Sequence, residues 1–257
     1  MKHILIFIIC FFVLSGNMLF AQNKHFTTTG TIEFEKTINM FALLKKEMSG
    51  NDDGFMQSAY DSYKKTQPQF KKLKSTLAFG NNKTLYTPIE PEAGRSGFFS
   101  TPMAEQTNTI FTDLTAGTSA CQKKVFEEVF LVKDSTRKIN WKITSETREI
   151  AGFTCRRANA VILDSIYVVA FYTDDIAVSG GPESFTGLPG MILGAAIPHE
   201  NISWFATKVN EIAVDEKTLV PPKKGKVVNN KELSKTLLAA LKDWGTYAQL
   251  SLKAFSL

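Results

Sequence analysis

The stretch GGPESFTGLPGMILGAAIPHE, residues 180–200, sets five glycines and three prolines around the short apolar run MIL. Its reading decides the fold. Leu188-Pro189-Gly190 fits a type II turn, with Pro at the second position and Gly at the third, where φ must be positive. Gly180, Gly181 and Pro182 punctuate the chain once more before Phe185. MILGAAI then reads as a buried strand, and Gly194 marks a bulge or a close approach of another backbone. This local logic does not require Phe185 or Leu188 to be covered by this chain alone. An apolar groove beside the corner therefore stays open, with Phe185, Leu188, Pro189 and Gly190 as binding candidates, joined by Tyr172 and Trp204 of neighbouring aromatic strands.

Moving outward, ANAVILDSIYVVAFYTDD breaks at Asp164-Ser165 into two strands apolar on both faces, a central hairpin covered on each side. KINWKIT alternates cleanly, with Ile139, Trp141 and Ile143 facing one way. SWFATKVNEIAV is a late strand, and KSTLAFGNNKTLYTPI a hairpin turning at Gly80-Asn81-Asn82. NTIFTDL and KKVFEEVFLVKD supply further short strands. GTIEFEKTI places Ile32, Phe34 and Ile38 on one face, with Thr31, Glu33, Glu35 and Thr37 on the other. Residues 40–67 change to helical spacing, interrupted by GNDDG, and read as an inserted helical hairpin. Residues 90–107 have neither period and read as a long loop. After the linker PPKKGK, residues 229–245 give a helix with Leu233, Leu237, Leu241 and Trp244 on one face. The expected fold is β-rich α+β, a curved and mainly antiparallel half-barrel-like sheet with a helical hairpin and a C-terminal helix.

The first residues, MKHILIFIICFFVLSGNMLFAQ, match a secretory signal peptide, with cleavage after Ala21. The apolar run is shorter than the roughly 20 residues of a membrane span. Residues 22–257 then form a single β-rich domain, exported to the periplasm or the outer-membrane surface and not integral to a membrane. The chain carries 30 Lys+Arg against 25 Asp+Glu, a net charge of +5. Its lysine clusters lack interleaved aromatics, which argues for solvated faces and against nucleic acid. Cys121 and Cys155 remain after cleavage and are candidates for a disulfide in an oxidising compartment.

Catalytic templates are missing. HExxH, G-x-S-x-G, GxGxxG and phosphate-binding loops do not occur, and no metal or cofactor site is expected. His199 sits in a turn-like PHEN. Asp174, Asp175 and Glu183 flank the glycine-rich segment and are the weak catalytic candidates, because two acids held close can split their pKa values and run hydrolysis.

GPESFTGLPGMILG closely resembles the signature of the GLPGLI family, exported proteins of Bacteroidetes. WKITSETREIAGFTCRRA (residues 141–158) resembles that family's upstream block, and AFYTDDI the segment between the two. Met191 stands where the family name has Leu, Phe171 where Trp is frequent, and Ala177 where Pro is frequent. Gly181, Pro182, Gly187, Trp141 and Gly152 are the motif positions. The resemblance implies a cell-envelope protein without an assigned reaction. The expectation is a non-catalytic protein that binds an apolar or peptide-like ligand or an envelope partner, such as a component of outer-membrane transport. The alternatives are a carboxylate-dependent periplasmic hydrolase and a purely structural accessory of an outer-membrane transport or assembly system. In that setting DST (134–136) and DSI (164–166) resemble the O-glycosylation sequon of such proteins, at Ser135 and Ser165; Asp-Ser is also an ordinary turn pair.

Overall fold

The computed structural model describes residues 26–48, 54–90 and 101–257. The proposed signal peptide, the centre of GNDDG and residues 91–100 lie outside that set. Twelve strands form one open sheet in the order β12-β6-β5-β4-β3-β2-β1-β11-β10-β9-β8-β7. They are β1 (Gly30–Asn39), β2 (Phe70–Gly80), β3 (Lys83–Pro88), β4 (Asn108–Asp113), β5 (Thr118–Val125), β6 (Glu128–Ser135), β7 (Lys142–Ile150), β8 (Phe153–Ile162), β9 (Ile166–Thr173), β10 (Met191–Ile197), β11 (Ile202–Asn210) and β12 (Lys226–Val228). All neighbours pair antiparallel except β12, which runs parallel to β6. The helices are α1 (Met40–Met48), α2 (Gly54–Thr66), the single turn α3 (Pro102–Glu105), α4 (Asn230–Ala240) and α5 (Gly245–Ser256). Among the described residues no helix is long and apolar enough to cross a membrane.

One connection forces the sheet to curl. Between β6 and β7 lie nine strands, a flat separation of about 48 Å at about 4.8 Å per strand. The chain covers it between Ser135 and Lys142, which can span at most about 25 Å fully extended. The two arms must therefore bend toward each other, although they do not close into a barrel.

The concave space is filled from both ends. Residues 174–190, between β9 and β10, fold back across it, burying Ile176, Val178, Phe185 and Leu188. Their backbone is tied down by a bridge between Thr27 and Ile176 and by Ile192 N–H donating to Gly180 O at 2.8 Å. Gly180 meets Thr84 of β3, on the opposite arm. From the other side α3 and α5 pack on each other, and Met103, Ala104 and Ala254 join the core of the strands.

The hairpin turning at Asn81-Asn82 is as expected, both residues having positive φ (47° and 55°), which suits Asn in a tight turn. Three expectations need correction. KINWKIT is not one strand: β7 starts at Lys142 and Ile143 is exposed, because residues 136–141 are consumed in the crossing between arms. Residues 90–107 are not loop throughout, since 102–105 make the turn α3. The C-terminal helix stops at Ala240. It opens on a capping box between Asn229 and Glu232, and Leu233, Leu237 and Leu241 are buried as expected. Trp244, however, is exposed, stacked on Tyr247 at 5.7 Å. The break lets a second helix, α5, turn back and add Phe255 to the same apolar cluster. A continuous helix would carry that phenylalanine away.

Candidate functional site

Strand register lines up an unusual row on the concave face. Residues directly opposite in neighbouring strands share a face. Trp204 of β11 opposes Lys36 of β1, and Phe34 of β1 opposes Ser75 of β2. Leu77, Tyr86, Ile110 and Cys121 then follow across β2 to β5, with Asn108 opposing Lys123. The interior therefore carries Trp204, Lys36, Ser75, Tyr86, Asn108 and Lys123 among its apolar side chains. Sequence reasoning missed Lys36, although the alternation of β1 places it with Ile32, Phe34 and Ile38. That alternation was the signal available.

Lys36 is 5 % exposed. Its Nζ donates to Gln106 O at 3.2 Å and, weakly, to Met103 O at 3.5 Å, and lies 5.3 Å from the Trp204 ring centroid. Burial lowers its pKa, partly offset by the Glu183 carboxylate and reinforced by Lys71. Glu183, at positive φ (53°), accepts from Asn108 Nδ2 at 3.1 Å. Gln106 Nε2 donates to Asn108 Oδ1 at 2.8 Å, so the amides hold Glu183 at one end of a chain of donors. Tyr86 is pushed well above the usual phenol range, by burial first and then by the Glu183 charge. Its hydroxyl is within reach of Ser75 and Trp204, yet Ser75 Oγ and Trp204 Nε1 are shut from solvent with no partner at hydrogen-bonding geometry. The cleft lined by Lys36, Asn108, Glu183, Phe185 and Trp204 has a volume of about 20 Å³, room for about one water.

The last turn of α5 and its cap, residues 254–257, lie on this face. Ala254 and Leu257 line the Lys36 cleft. Lys123 Nζ donates to Phe255 O at 2.6 Å, Arg137 Nη2 to Ser256 O at 2.6 Å, and Ser184 Oγ to Leu257 O at 3.1 Å. Further along α5, Lys253 Nζ reaches Glu200 Oε1 at 2.5 Å, and Lys46 of α1 reaches Glu200 Oε2 at 2.8 Å. Burial alone would raise the Glu200 carboxyl; the two lysines more than offset it and hold it below the usual range.

The groove candidates are packed into this architecture. Phe185, Leu188, Tyr172 and Trp204 are buried, and Phe185 meets Trp204 edge-on at 5.9 Å. Pro189 is exposed at the corner. The corner is tighter than a type II turn: Gly190 N–H donates to Leu188 O at 2.8 Å, a three-residue turn with Pro189 at its centre. Gly190 has φ +150°, and a Cβ there would sit 2.1 Å from Thr173 O. Gly181 is also constrained, since a Cβ there would sit 2.8 Å from Ile192 Cβ and from Phe185 O. Pro182 is buried and Gly187 and Gly152 take positive φ. Trp141 Nε1 donates to Thr186 O at 2.9 Å, pinning the β6–β7 crossing to the 174–190 segment. At Gly194 it is an aromatic side chain, Phe205, that approaches, beside a register shift between Ile192 and Gly194.

The weak catalytic candidates occupy different settings. Asp174 and Asp175 sit in the turn after β9, where Asp175 Oδ2 accepts from Thr173 Oγ1 at 3.4 Å, whereas Glu183 serves the Lys36 row. His199 is exposed. Among the described residues no group of three or more His, Cys, Asp or Glu is arranged to hold a metal ion. The candidate disulfide is not formed: Cys121 of β5 and Cys155 of β8 are free thiols on opposite arms of the sheet. Burial pushes them up to about 11 and about 12 respectively.

Comparison with known proteins adds little chemistry. A family model described as a protein of unknown function (Porph_ging) matches residues 160–194, from β8 through the corner into β10. No curated protein matches the chain. Two structures of PNGF-II, from different crystal forms, share the fold with TM-scores of 0.50, at 18 % and 17 % identity. The alignments cover 81 % and 88 % of this chain and 33 % of theirs, so this chain spans about a third of their length. An uncharacterised conserved protein from Thermus thermophilus aligns with a TM-score of 0.36 and 8 % identity, over 80 % of this chain and 93 % of that one.

Proposed function

We propose that this is an exported cell-envelope protein of the GLPGLI type that binds a peptide-like ligand or an envelope partner on the concave face of its sheet, without catalysing a reaction. The periplasm or the outer-membrane surface is its place of work. The observation that carries this reading is the seating of residues 254–257, three of whose backbone carbonyls are taken by the side chains of Lys123, Arg137 and Ser184. These carbonyls close the last turn of α5 and have no partner within the helix, so side chains that hold them suit a helix end of almost any sequence. Buried cations are expensive to keep, and a core built for stability alone would replace them with apolar residues. A carboxylate-dependent hydrolase would need its acids paired, whereas Asp174 and Asp175 sit in the turn after β9 and Glu183 faces Asn108 in the Lys36 row.

Native mass spectrometry of protein purified gently from the periplasm tests the reading. A copurifying peptide or protein, whose presence lowers the protection of the α5 end to hydrogen exchange because that end occupies the same side chains, is the expected result. Protein that emerges bare, and that crosslinks to nothing in intact cells, would overturn it.

A further inference from the structure

A second cavity lies under the last turn of α5, bounded by β5, β6 and the crossing segment. It measures about 50 Å³ and is lined by Ser119, Cys121, Lys123, Ser135, Arg137 and Ser184, with Ser256 and Leu257, whose main-chain oxygens already accept from Arg137 and Ser184. Its polar lining is rich in hydrogen-bond donors. Lys123, 5 % exposed, has one acceptor for its three N–H bonds, the Phe255 carbonyl. Arg137 uses Nη2 on Ser256 O, while Nη1 is shut from solvent with no partner. Among the described residues no carboxylate forms an ion pair with Lys36, Lys123 or Arg137. The charge of Glu183 reaches Lys123, but burial is all that acts on Arg137. Asp134 stands nearby and is taken by the backbone N–H groups of Ser135 and Asn230. Lys36 and Lys123 thus share the Glu183 carboxylate, and Arg137 has no share in it.

We infer that the cavity bounded by Lys123, Arg137, Ser135 and Ser184 is a binding site for a small oxyanion, either a free inorganic anion or a carboxylate carried by a ligand. A carboxylate or tetrahedral oxyanion supplies the acceptors that Arg137 Nη1 and Lys123 Nζ lack, and a guanidinium fork matches either geometry. The volume admits the anionic group alone, so a larger ligand would present it end-on. The site stands on its own geometry and not on the peptide reading above, because a bare anion suffices to fill it.

The test is thermal unfolding and titration calorimetry of the intact protein with acetate, formate, phosphate and sulfate, at ionic strength held constant with chloride. The expected result is a saturable rise in Tm of about 3–6 °C at anion concentrations near ten times Kd. Phosphate and sulfate acting alone identify an inorganic ligand, and acetate and formate acting alone a carboxylate. Arg137→Gln should abolish the rise and Arg137→Lys should weaken binding about tenfold by removing the fork. Ser135→Ala, which disturbs no buried charge, should weaken it several-fold and guards against a folding defect in the arginine variants. A rise equal for all salts, or one that survives Arg137→Gln in a folded protein, would overturn the site.

Discussion

The corner at Gly190 and the row from Lys36 to Lys123 belong to one sheet and obey opposite rules. At the corner packing explains the buried residues: Gly190 is there because Thr173 O leaves no room for a Cβ, and Leu188 and Met191 are buried beside it. Along the row, burial is paired with charge, and burial lowers the lysine pKa values instead of strengthening the fold. Groups that cost stability are retained for specificity of the fold or for a use beyond it, and the proposed binding is such a use. The difference separates a region that makes the fold from a region that exploits it.

The sharpest way to break this contrast is Gly190→Ala. Its Cβ would overlap a backbone oxygen at a positive φ, so unfolding by urea should show a loss of about 3–5 kcal/mol, or no folded protein at all. A loss below about 1 kcal/mol would mean that the corner is not specified by packing.

Glu200→Gln sharpens it from the side of the cap. Removing a buried carboxylate that holds Lys46 and Lys253 should cost about 1–2 kcal/mol at pH 7, discounted because both lysines are about a third exposed. The Glu200 carboxyl is held low in the folded state, so its contribution is present above the ordinary carboxylate pKa and is lost as pH falls through the lowered value. The stability curves of variant and parent should therefore converge in acid; parallel curves down to the lowest pH would contradict the ion pairs.

Lys36→Met should act in the opposite sense to Gly190→Ala, raising stability by about 1 kcal/mol near neutral pH. Burial disfavours the charged lysine, and that penalty is present below its lowered folded pKa and fades as pH rises toward the unfolded value. The gain of the variant should shrink in alkali. A marked loss on substitution would return Lys36 to the structural side of the comparison.

The smallest effect belongs to the thiols. With pKa values of about 11 and about 12, Cys121 and Cys155 should resist alkylation at pH 8 until the protein unfolds, and a reductant should leave Tm unchanged. A Tm that falls on reduction would show a disulfide after all.

Much of this molecule was legible from alternation. MILGAAI and the hairpin broken at Asp164-Ser165 are strands because one or both faces are continuously apolar, and such patterns need no tertiary information. Lys36 was legible too, since a period of two assigns its face irrespective of its charge. Trp141 was not, because its alternating neighbours imitate a strand while the chain is crossing between arms. Nor was α5, whose helix period is weak and whose reason for existing is the cluster around Leu233 and Leu237 that Phe255 completes.

The sequence by itself determined the β-rich class, the position of the proline–glycine corner and the lack of a recognisable catalytic set, because periodicity and turn chemistry act over a few residues. Only the tertiary structure decided that the arms curl together, that the two cysteines lie apart and that Lys36, Lys123, Arg137 and Glu183 face one interior. Those outcomes depend on strand order and on a short crossing between distant edges, and no local pattern encodes a distance across a sheet.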